Sequence, residues 1–325
     1  MAGVDRVSSG LRYFVAGGAG FIGSHLVDRL VQTGRVTVFD NLSVGKREFL
    51  GSHLDTGACT LVEADLLDLN ALEAAIGEHD IVFHLSANPE ARWGLENPRL
   101  DLEQGTIVTW NVLEAARRRS VPKLVFASSG TVYGENDQPC MESDLGQLPI
   151  SLYGASKLAC EALVSAFVEC FGLQAWIFRF GNVVGPRGTH GAALDFLKKL
   201  RDHPDELEVL GDGRQSKPYV HVSDCVDALL FGLTQACERL NVLNIAPPDS
   251  TTVARIAELC IAASPYPNAR IRYTGGEKGW LGDVPRSRLV PDRLRAMGWS
   301  TRRNSDEAVT EAVRALSAEV FGSGD

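Results

Sequence analysis

The chain has 325 residues and a mass of 35.1 kDa, with 45% hydrophobic and 22% charged residues. That composition excludes disordered, collagen-like and low-complexity proteins. Forty-one acidic residues against 32 basic ones give a net charge of −9 and a pI near 5.4, which argues against nucleic acid as a partner but leaves room for a local basic pocket holding a small anion.

No apolar run approaches the roughly 18 to 20 residues of a membrane span, so no membrane partner is expected. The segment from Met1 to Gly10 lacks the apolar core of a signal peptide. The cysteines, at 59, 140, 160, 170, 225, 237 and 260, are odd in number and never paired as CxxC. They read as reduced, mostly packing thiols of a cytoplasmic protein, with no metal site.

From residue 11 onward, short apolar runs alternate with longer helical patterns. Strands are predicted over residues 11–16, 36–40, 59–65, 81–87, 123–129 and 175–182, and helices over 22–32, 69–76, 104–119 and 153–171. The strand runs are nearly continuous in apolar residues, the mark of parallel strands covered on both faces. Repeated strand–helix units with right-handed crossovers predict an α/β fold, a Rossmann-type doubly wound parallel sheet whose ligands lie beyond the strand C-termini.

After Asn182 the rhythm changes. Gly, Pro and Arg crowd into residues 185–191, ahead of a helix over 192–201 and a strand over 207–210. Strands over 219–222 and 242–246 flank a helix over 224–233. Residues 249–325 read as a smaller α/β cap, with a helix over 253–263, a strand over 270–274 and two terminal helices. The expected division is a dinucleotide-binding domain, 11–182 plus 219–246, and a smaller, discontinuous α/β substrate-binding lobe, 183–218 plus 247–325.

The first strand runs into Gly17-Gly-Ala-Gly20-Phe-Ile-Gly23. Glycines at these three positions tighten the turn, let backbone N–H groups approach a pyrophosphate and let the helix pack on its strand, while the helix N-terminus offers free donors to the anion. The second strand ends in Asp40. A carboxylate there accepts from both adenosine ribose hydroxyls and repels a 2′-phosphate, favouring NAD over NADP, although Lys46 and Arg47 weaken that exclusion. Asp65-Leu66, at the end of the third strand, is placed to contact adenine.

The glycine loop, Asp40-Asn-Leu-Ser-x-Gly45, Asp65-Leu66 and His84-Leu-Ser-Ala-Asn88 resemble the extended short-chain dehydrogenase/reductase family, in particular its UDP-glucose 4-epimerase branch (the NAD-dependent epimerase/dehydratase group), over about residues 11 to 300. The resemblance implies NAD held by Gly17, Gly20, Phe21, Ile22, Gly23, Asp40, Asn41, Ser43, Asp65, Leu66, Leu85 and Ala87, with Tyr153 and Lys157 completing the site.

Chemistry is expected from Ser128-Ser129-Gly-Thr131-Val-Tyr-Gly134 and from Tyr153-Gly-Ala-Ser-Lys157. On a helix, residues i and i+4 share a face, which puts Lys157 one turn from Tyr153. A free tyrosine titrates near ~10, and a lysine ammonium together with the nicotinamide ring charge would lower it toward use as a base. Ser129 or Thr131 can orient the same substrate hydroxyl, whereas Ser128 could serve only local backbone amides. The resemblance implies Tyr153, Lys157 and Ser129 as the catalytic residues.

Relatives that dehydrate nucleotide sugars carry an Asp-Glu pair in this strand-end segment, decarboxylating relatives a Glu, and GDP-sugar epimerase-reductases a Cys. Here Gly130, Thr131 and Val132 stand there instead.

For the substrate, the resemblance implies contacts from Ser129, Thr131, Asn182, Arg187, Lys217 and Asp283, with Asn182 and Lys217 on the diphosphate and Asp283 on the uridine ribose. Lys217 and Trp280 stand where the family carries arginines, and Lys278 could replace the second. Lysine keeps the charge but not the bidentate fork. Trp280 could equally be lobe packing.

Ser287, in place of a bulky Tyr of some relatives, leaves room for an N-acetyl group. Glucuronate-specific relatives have Thr for Asn182 and an Arg at position 189, where this chain has Thr189. A neutral hexose is therefore favoured, although Arg92 or Arg187 could still meet a carboxylate. His190 and His221 read as structural hydrogen-bonders. The reading is a NAD-dependent isomerase, a 4-epimerase of a UDP-hexose acting through a transient 4-keto sugar, in a homodimer built on helices 104–119 and 153–171. The N-acetylglucosamine and glucuronate versions, a dehydratase or decarboxylase, a net NAD-linked reductase and a non-catalytic NAD-sensing regulator are the alternatives.

Overall fold

A computed structural model describes residues 10–136, 138–144 and 148–322. The N-terminal segment read above for a signal peptide lies, apart from Gly10, outside the described residues, as do the last three positions of the expected substrate lobe.

The strands are β1 (Leu11–Ala16), β2 (Gly34–Asp40), β3 (Cys59–Glu63), β4 (Ile81–His84), β5 (Lys123–Ser129), β6 (Gln174–Phe180), β7 (Asn182–Val184), β8 (Glu206–Val209), β9 (Ser216–Lys217), β10 (Tyr219–His221), β11 (Leu240–Ile245), β12 (Thr251–Thr252) and β13 (Arg270–Tyr273). Seven of them form one sheet in the order β11-β6-β5-β4-β1-β2-β3, parallel throughout. Strand order reverses between β1 and β4, which opens a ligand crevice beyond their C-termini.

Four helices of the first half matter for the site: α1 (Phe21–Leu30), α2 (Leu69–Ile76), α3 (Val108–Arg118) and α4 (Leu152–Phe171). The second half adds α5 (Ala192–Asp202), α6 (Val222–Gln235), α7 (Val253–Ala263) and α8 (Ser305–Phe321).

Alternate residues of each main strand enter different cores, as parallel strands covered on both faces require. Val15, Val38, Phe83, Val125 and Phe178 pack with Leu26 and Leu30 of α1 and Leu229 of α6. Phe14, Phe39, Val82, Phe126 and Ile177 pack with Leu72 of α2, Val112 of α3 and Val164 of α4. A third core joins Phe196 and Leu197 of α5, Val209 of β8, Ile256 of α7 and Val313 of α8.

Three departures from the sequence expectation bear on the site. The sixth strand leaves the sheet at Gly181. Its N–H still reaches the carbonyl of Ile245 at 2.8 Å, but the N–H of Asn182 turns to Pro218 at 2.9 Å, and the chain continues as β7 beside β10. The fourth strand stops at His84 rather than 87, because the next residues turn across the glycine loop, where a Cβ on Gly17 would lie 2.8 Å from the Ser86 nitrogen. The helix expected from residue 104 begins as a π-helical stretch, Leu102–Ile107. Gly105 there presses on α4, so closely that a Cβ on it would lie 1.9 Å from Ser156 Oγ, and the Ser156 hydroxyl donates to the Asp101 carbonyl at 2.8 Å.

Candidate active site

The glycine loop carries backbone demands that side chains would not meet. Gly17 has φ +80°, and a Cβ on Gly23 would lie 2.1 Å from the Gly17 carbonyl oxygen. Helix α1 starts after Gly20 with no side-chain cap and no acid in its first turn, so its leading N–H groups are free for an anion. This is a cradle that fits a dinucleotide pyrophosphate.

Asp40 closes β2 beside it. The carboxylate accepts from the N–H of Ala19 at 3.0 Å and of Leu42 at 2.9 Å. Burial pushes its carboxyl up, opposed by those two bonds. Each oxygen keeps a further lone pair for a ribose hydroxyl. Asn41 Nδ2 donates to Asp65 at 3.0 Å, Asp65 also accepts from the Leu67 N–H, and the Ser43 N–H bonds back to Asn41. Leu66 is buried and its carbonyl accepts from Asn111 at 2.7 Å. Leu85 and Ala87 leave β4 half-buried. These ends of β1 to β4 lie along one rim, and Phe21 and Ile22 reach from it to the wall of a cavity of about 380 Å³.

Ser128, Ser129, Thr131 and Tyr153 line the same cavity. Ser129 caps the tight 3-10 turn Gly130–Tyr133, accepting from the N–H of Thr131 at 3.2 Å and from its hydroxyl at 3.0 Å. Ser151 caps α4 by accepting from the Gly154 N–H at 3.1 Å, which puts Tyr153 in the first turn, at the positive end of the helix dipole. Gly154 permits this. A Cβ there would meet Pro149 at 2.9 Å and the Thr131 carbonyl at 3.0 Å.

Lys157, 4% exposed, donates to the Ala127 carbonyl at 2.7 Å and lies 5.8 Å from the centre of the Tyr153 ring. Burial pulls its ammonium down. The Tyr153 phenol, expected to be lowered, is pushed up to about 12. Burial dominates, a hydrogen bond with Ser129 opposes it, and the Asp101 carboxylate adds to it. Asp101, which the sequence did not single out, is buried with Oδ1 accepting from Asn88 at 3.0 Å. Ser128 does not face a backbone amide, because its hydroxyl donates to Glu161, which pairs with Arg179 at 2.7 Å.

At the other end the wall is made by Asn182, Lys217, Trp280 and Asp283. Asn182 pairs with Tyr219 across β7 and β10, and burial pushes the Tyr219 phenol up to about 12, opposed by Asn182. Lys217 and Asp283 pair with each other at 2.6 Å. Arg187 lies apart from these residues. It does not line this cavity but pairs with Asp28 of α1 at 2.9 Å and covers the ring of Phe49, because its segment folds back onto α1, where His25 meets the Pro186 carbonyl.

Lys278 pairs with Glu135 at 2.7 Å and does not line the cavity either. Ser287 bonds Ser216 through its backbone and is no part of the wall, which removes the argument for an N-acetyl pocket. His221 caps α6, whereas His190 lines the cavity. Glu90, Asp195, Lys199 and Gln215 also line it without having been foreseen. Of these, only the i,i+4 spacing of Asp195 and Lys199 on one helix face offered a signal.

A model of the NAD dependent epimerase/dehydratase family matches residues 13–246. The chain is 30% identical over 307 residues to a putative UDP-glucose 4-epimerase of Methanocaldococcus jannaschii, covering 92% of this chain and 96% of that protein. A solved UDP-galactose 4-epimerase is 37% identical with a TM-score of 0.85, covering 95% of this chain and 99% of its own. The UDP-glucose 4-epimerase of Thermus thermophilus, solved in complex with NAD, is 31% identical with a TM-score of 0.83, covering 94% and 99%.

Proposed function

From its membership of the NAD-dependent epimerase/dehydratase family, to which the chain belongs, we propose that the protein is a UDP-hexose 4-epimerase of the glucose/galactose type, an isomerase that uses NAD. The observation that carries this reading is the cluster of Tyr153, Ser129 and Thr131 over buried Lys157, in a strand-end turn with no carboxylate of its own from Ser128 to Gly134. The Glu161 carboxylate touching that turn's first residue is held by Ser128 and Arg179, so among the described residues this turn offers no free acid for the chemistry of a dehydratase or decarboxylase.

NAD would be held by the Gly17–Gly23 turn and the α1 N-terminus, by Asp40, Asn41, Ser43, Asp65 and Leu66 along the strand ends, and by Leu85, Ala87, Tyr153 and Lys157 nearer the reaction. When bound it supplies a hydride acceptor that returns what it takes, and on its oxidised ring the positive charge that favours an ionised phenol. Tyr153 Oη takes the proton of the sugar C4 hydroxyl and gives it back after the ring has turned, while Ser129 and Thr131 orient that hydroxyl. Lys157, tied to the Ala127 carbonyl, and the helix dipole stabilise the phenolate. Asn182, Lys217 and Asp283 hold the nucleotide diphosphate and ribose.

The core joining α5, α7 and α8, apart from those flanking the main sheet, supports a division into a dinucleotide-binding domain, 11–182 plus 219–246, and a sugar-nucleotide lobe, 183–218 plus 247–325, with Leu294 of the lobe packing on the first and Tyr219 of the first on the lobe. A homodimer through α3 and α4 is supported by Trp110, 41% exposed, and Phe171, 56% exposed, on those helices. Sedimentation should give twice the chain mass. Seven unbridged cysteines suit a cytoplasmic protein, and among the described residues no helix is long and apolar enough to cross a membrane.

The test is incubation with UDP-galactose and no added cofactor, with the products resolved. UDP-glucose is expected. Loss of water, turnover only when NAD is supplied and consumed stoichiometrically, or UDP-galactose left unchanged would each reject the reading.

A further inference from the structure

We propose that Glu90, Arg92 and Asp195 form a charge-selective wall that admits a neutral hexose and excludes a UDP-sugar bearing a carboxylate on the hexose ring. The inference rests on the epimerase reading. It assigns the substrate class to residues that the family resemblance did not supply.

All three side chains line the cavity that holds Tyr153. Glu90 and Arg92 belong to the segment leaving β4, the strand beside β5, whose end carries Ser129. Asp195 comes from the first turn of α5. Arg92 donates Nε to Glu90 Oε1 at 2.9 Å and Nη2 to Glu90 Oε2 at 2.7 Å, a bidentate pair, and Nη2 also reaches Asp195 Oδ2 at 2.9 Å. The Arg92 backbone N–H adds a bond to Glu90 Oε1 at 3.2 Å.

A bidentate fork is the arrangement by which an arginine would greet a substrate carboxylate. Here that fork is filled by the protein's own acid, with a second acid behind it. One guanidinium faces two carboxylates, which leaves this patch with a net negative charge.

Burial alone would raise the Glu90 carboxyl, but the bonds from Arg92 hold it below the ordinary range, so it stays ionised near neutrality. An incoming hexuronate would meet like charge in a partly desolvated cavity, where repulsion is far stronger than in water. A neutral sugar meets no such penalty, and Arg92 Nη1, unbonded among the described residues, can donate to a hydroxyl. The cations nearer the nucleotide end do not change this local balance. Lys217 is paired with Asp283, and Lys199 with the Glu208 carboxylate at 3.7 Å.

The experiment compares kcat/KM for UDP-glucose and UDP-glucuronate in the wild type, Glu90→Gln and Asp195→Asn, with circular dichroism confirming that each variant is folded. The wild type should prefer UDP-glucose at least 100-fold, and each substitution should cut that ratio at least tenfold by raising the uronate value. A wild-type ratio within tenfold, or a ratio unmoved in both folded variants, overturns the inference.

Calorimetry on Tyr153→Phe separates this from the epimerase reading, because it measures binding without turnover. Tight UDP-glucose binding with weak UDP-glucuronate binding, in a protein whose wild type epimerises neither, upholds the wall and rejects the epimerase. Equal binding of the two sugars rejects the wall alone, and binding of neither rejects both.

Discussion

The two ends of the cavity are built by different means. At the cofactor end the main chain does most of the holding. Gly17 and Gly23 set the turn, Asp40 hangs from two backbone N–H groups, and Lys157 is anchored on a strand carbonyl. At the substrate end side chains hold one another, in the pairs Lys217–Asp283 and Arg92 with Glu90 and Asp195. A backbone cradle is preorganised by the sheet and tolerates change elsewhere. Paired side chains can be retuned by one substitution, but removing either partner strands the other's charge.

The largest effect should come from the junction of the two ends. Tyr153→Phe removes one oxygen, in the cavity that Ser129 also lines, and should lower kcat by roughly 10²- to 10⁴-fold, the usual worth of a positioned acid–base group. NAD content after purification and UDP-glucose affinity should stay within a few-fold. Loss of NAD from this variant would break the comparison, because it would mean that the phenol holds the cofactor rather than the proton.

At the substrate end, Lys217→Ala leaves Asp283 buried without its partner. Breaking such a pair should cost roughly 2 to 3 kcal/mol, the low side of the buried range because Lys217 is partly exposed. The loss would read as a lower denaturant midpoint together with a raised KM for the UDP-sugar. Lys217→Arg should restore most of both.

What could be read from the sequence divides along the same line. The sheet, the glycine turn and the Tyr153–Lys157 spacing were legible because periodicity and fixed local spacings encode them. Strand ends were less so. Gly181 looks like a continuation of β6, yet the exchange of partners from Ile245 to Pro218 depends on a strand almost 40 residues away. The π-helical start before α3 reflects contact with Ser156 on another helix. Arg187 and Lys278 carry suitable charges, but their partners, Asp28 and Glu135, are about 159 and 143 positions distant. The upward push on Tyr153 comes from burial and from Asp101, neither of which a YxxxK spacing can show.

Acid should also separate the ends. His84 closes β4 with Nε2 bonded to the Thr109 hydroxyl at 3.0 Å, and that hydroxyl donates to the Gly105 carbonyl at 2.7 Å. The imidazole therefore carries its proton on Nε2, and its buried Nδ1 has no partner among the described residues. Burial, aided by the Lys157 charge, lowers its pKa to about 3.

Between the unfolded value of about 6.5 and about 3, the unfolded chain binds a proton that the folded one refuses. Stability is full above that window and falls by about 1.4 kcal/mol per pH unit within it. His84→Gln keeps a donor for Thr109 and cannot titrate, so its melting temperature should decline less steeply from pH 6 to pH 4 than the wild type's. Parallel curves would remove His84 from the account of acid sensitivity at the cofactor end.

The smallest effect is the sharpest test of where the substrate end stops. Arg187 was expected among the substrate contacts, yet it pairs with Asp28 outside the cavity wall. Asp28 keeps a hydrogen-bond partner in His53 at 2.8 Å and its side chain is 33% exposed to water, so Arg187→Ala does not strand it in the interior. Partly exposed pairs of this kind contribute about 0 to 1 kcal/mol. The variant should lose little stability and change the KM for UDP-glucose by less than threefold, against the much larger change in Lys217→Ala. A tenfold rise in KM would mean that residues 185–191 swing from α1 onto bound nucleotide, and the line between the two ends would then have to be redrawn through that segment.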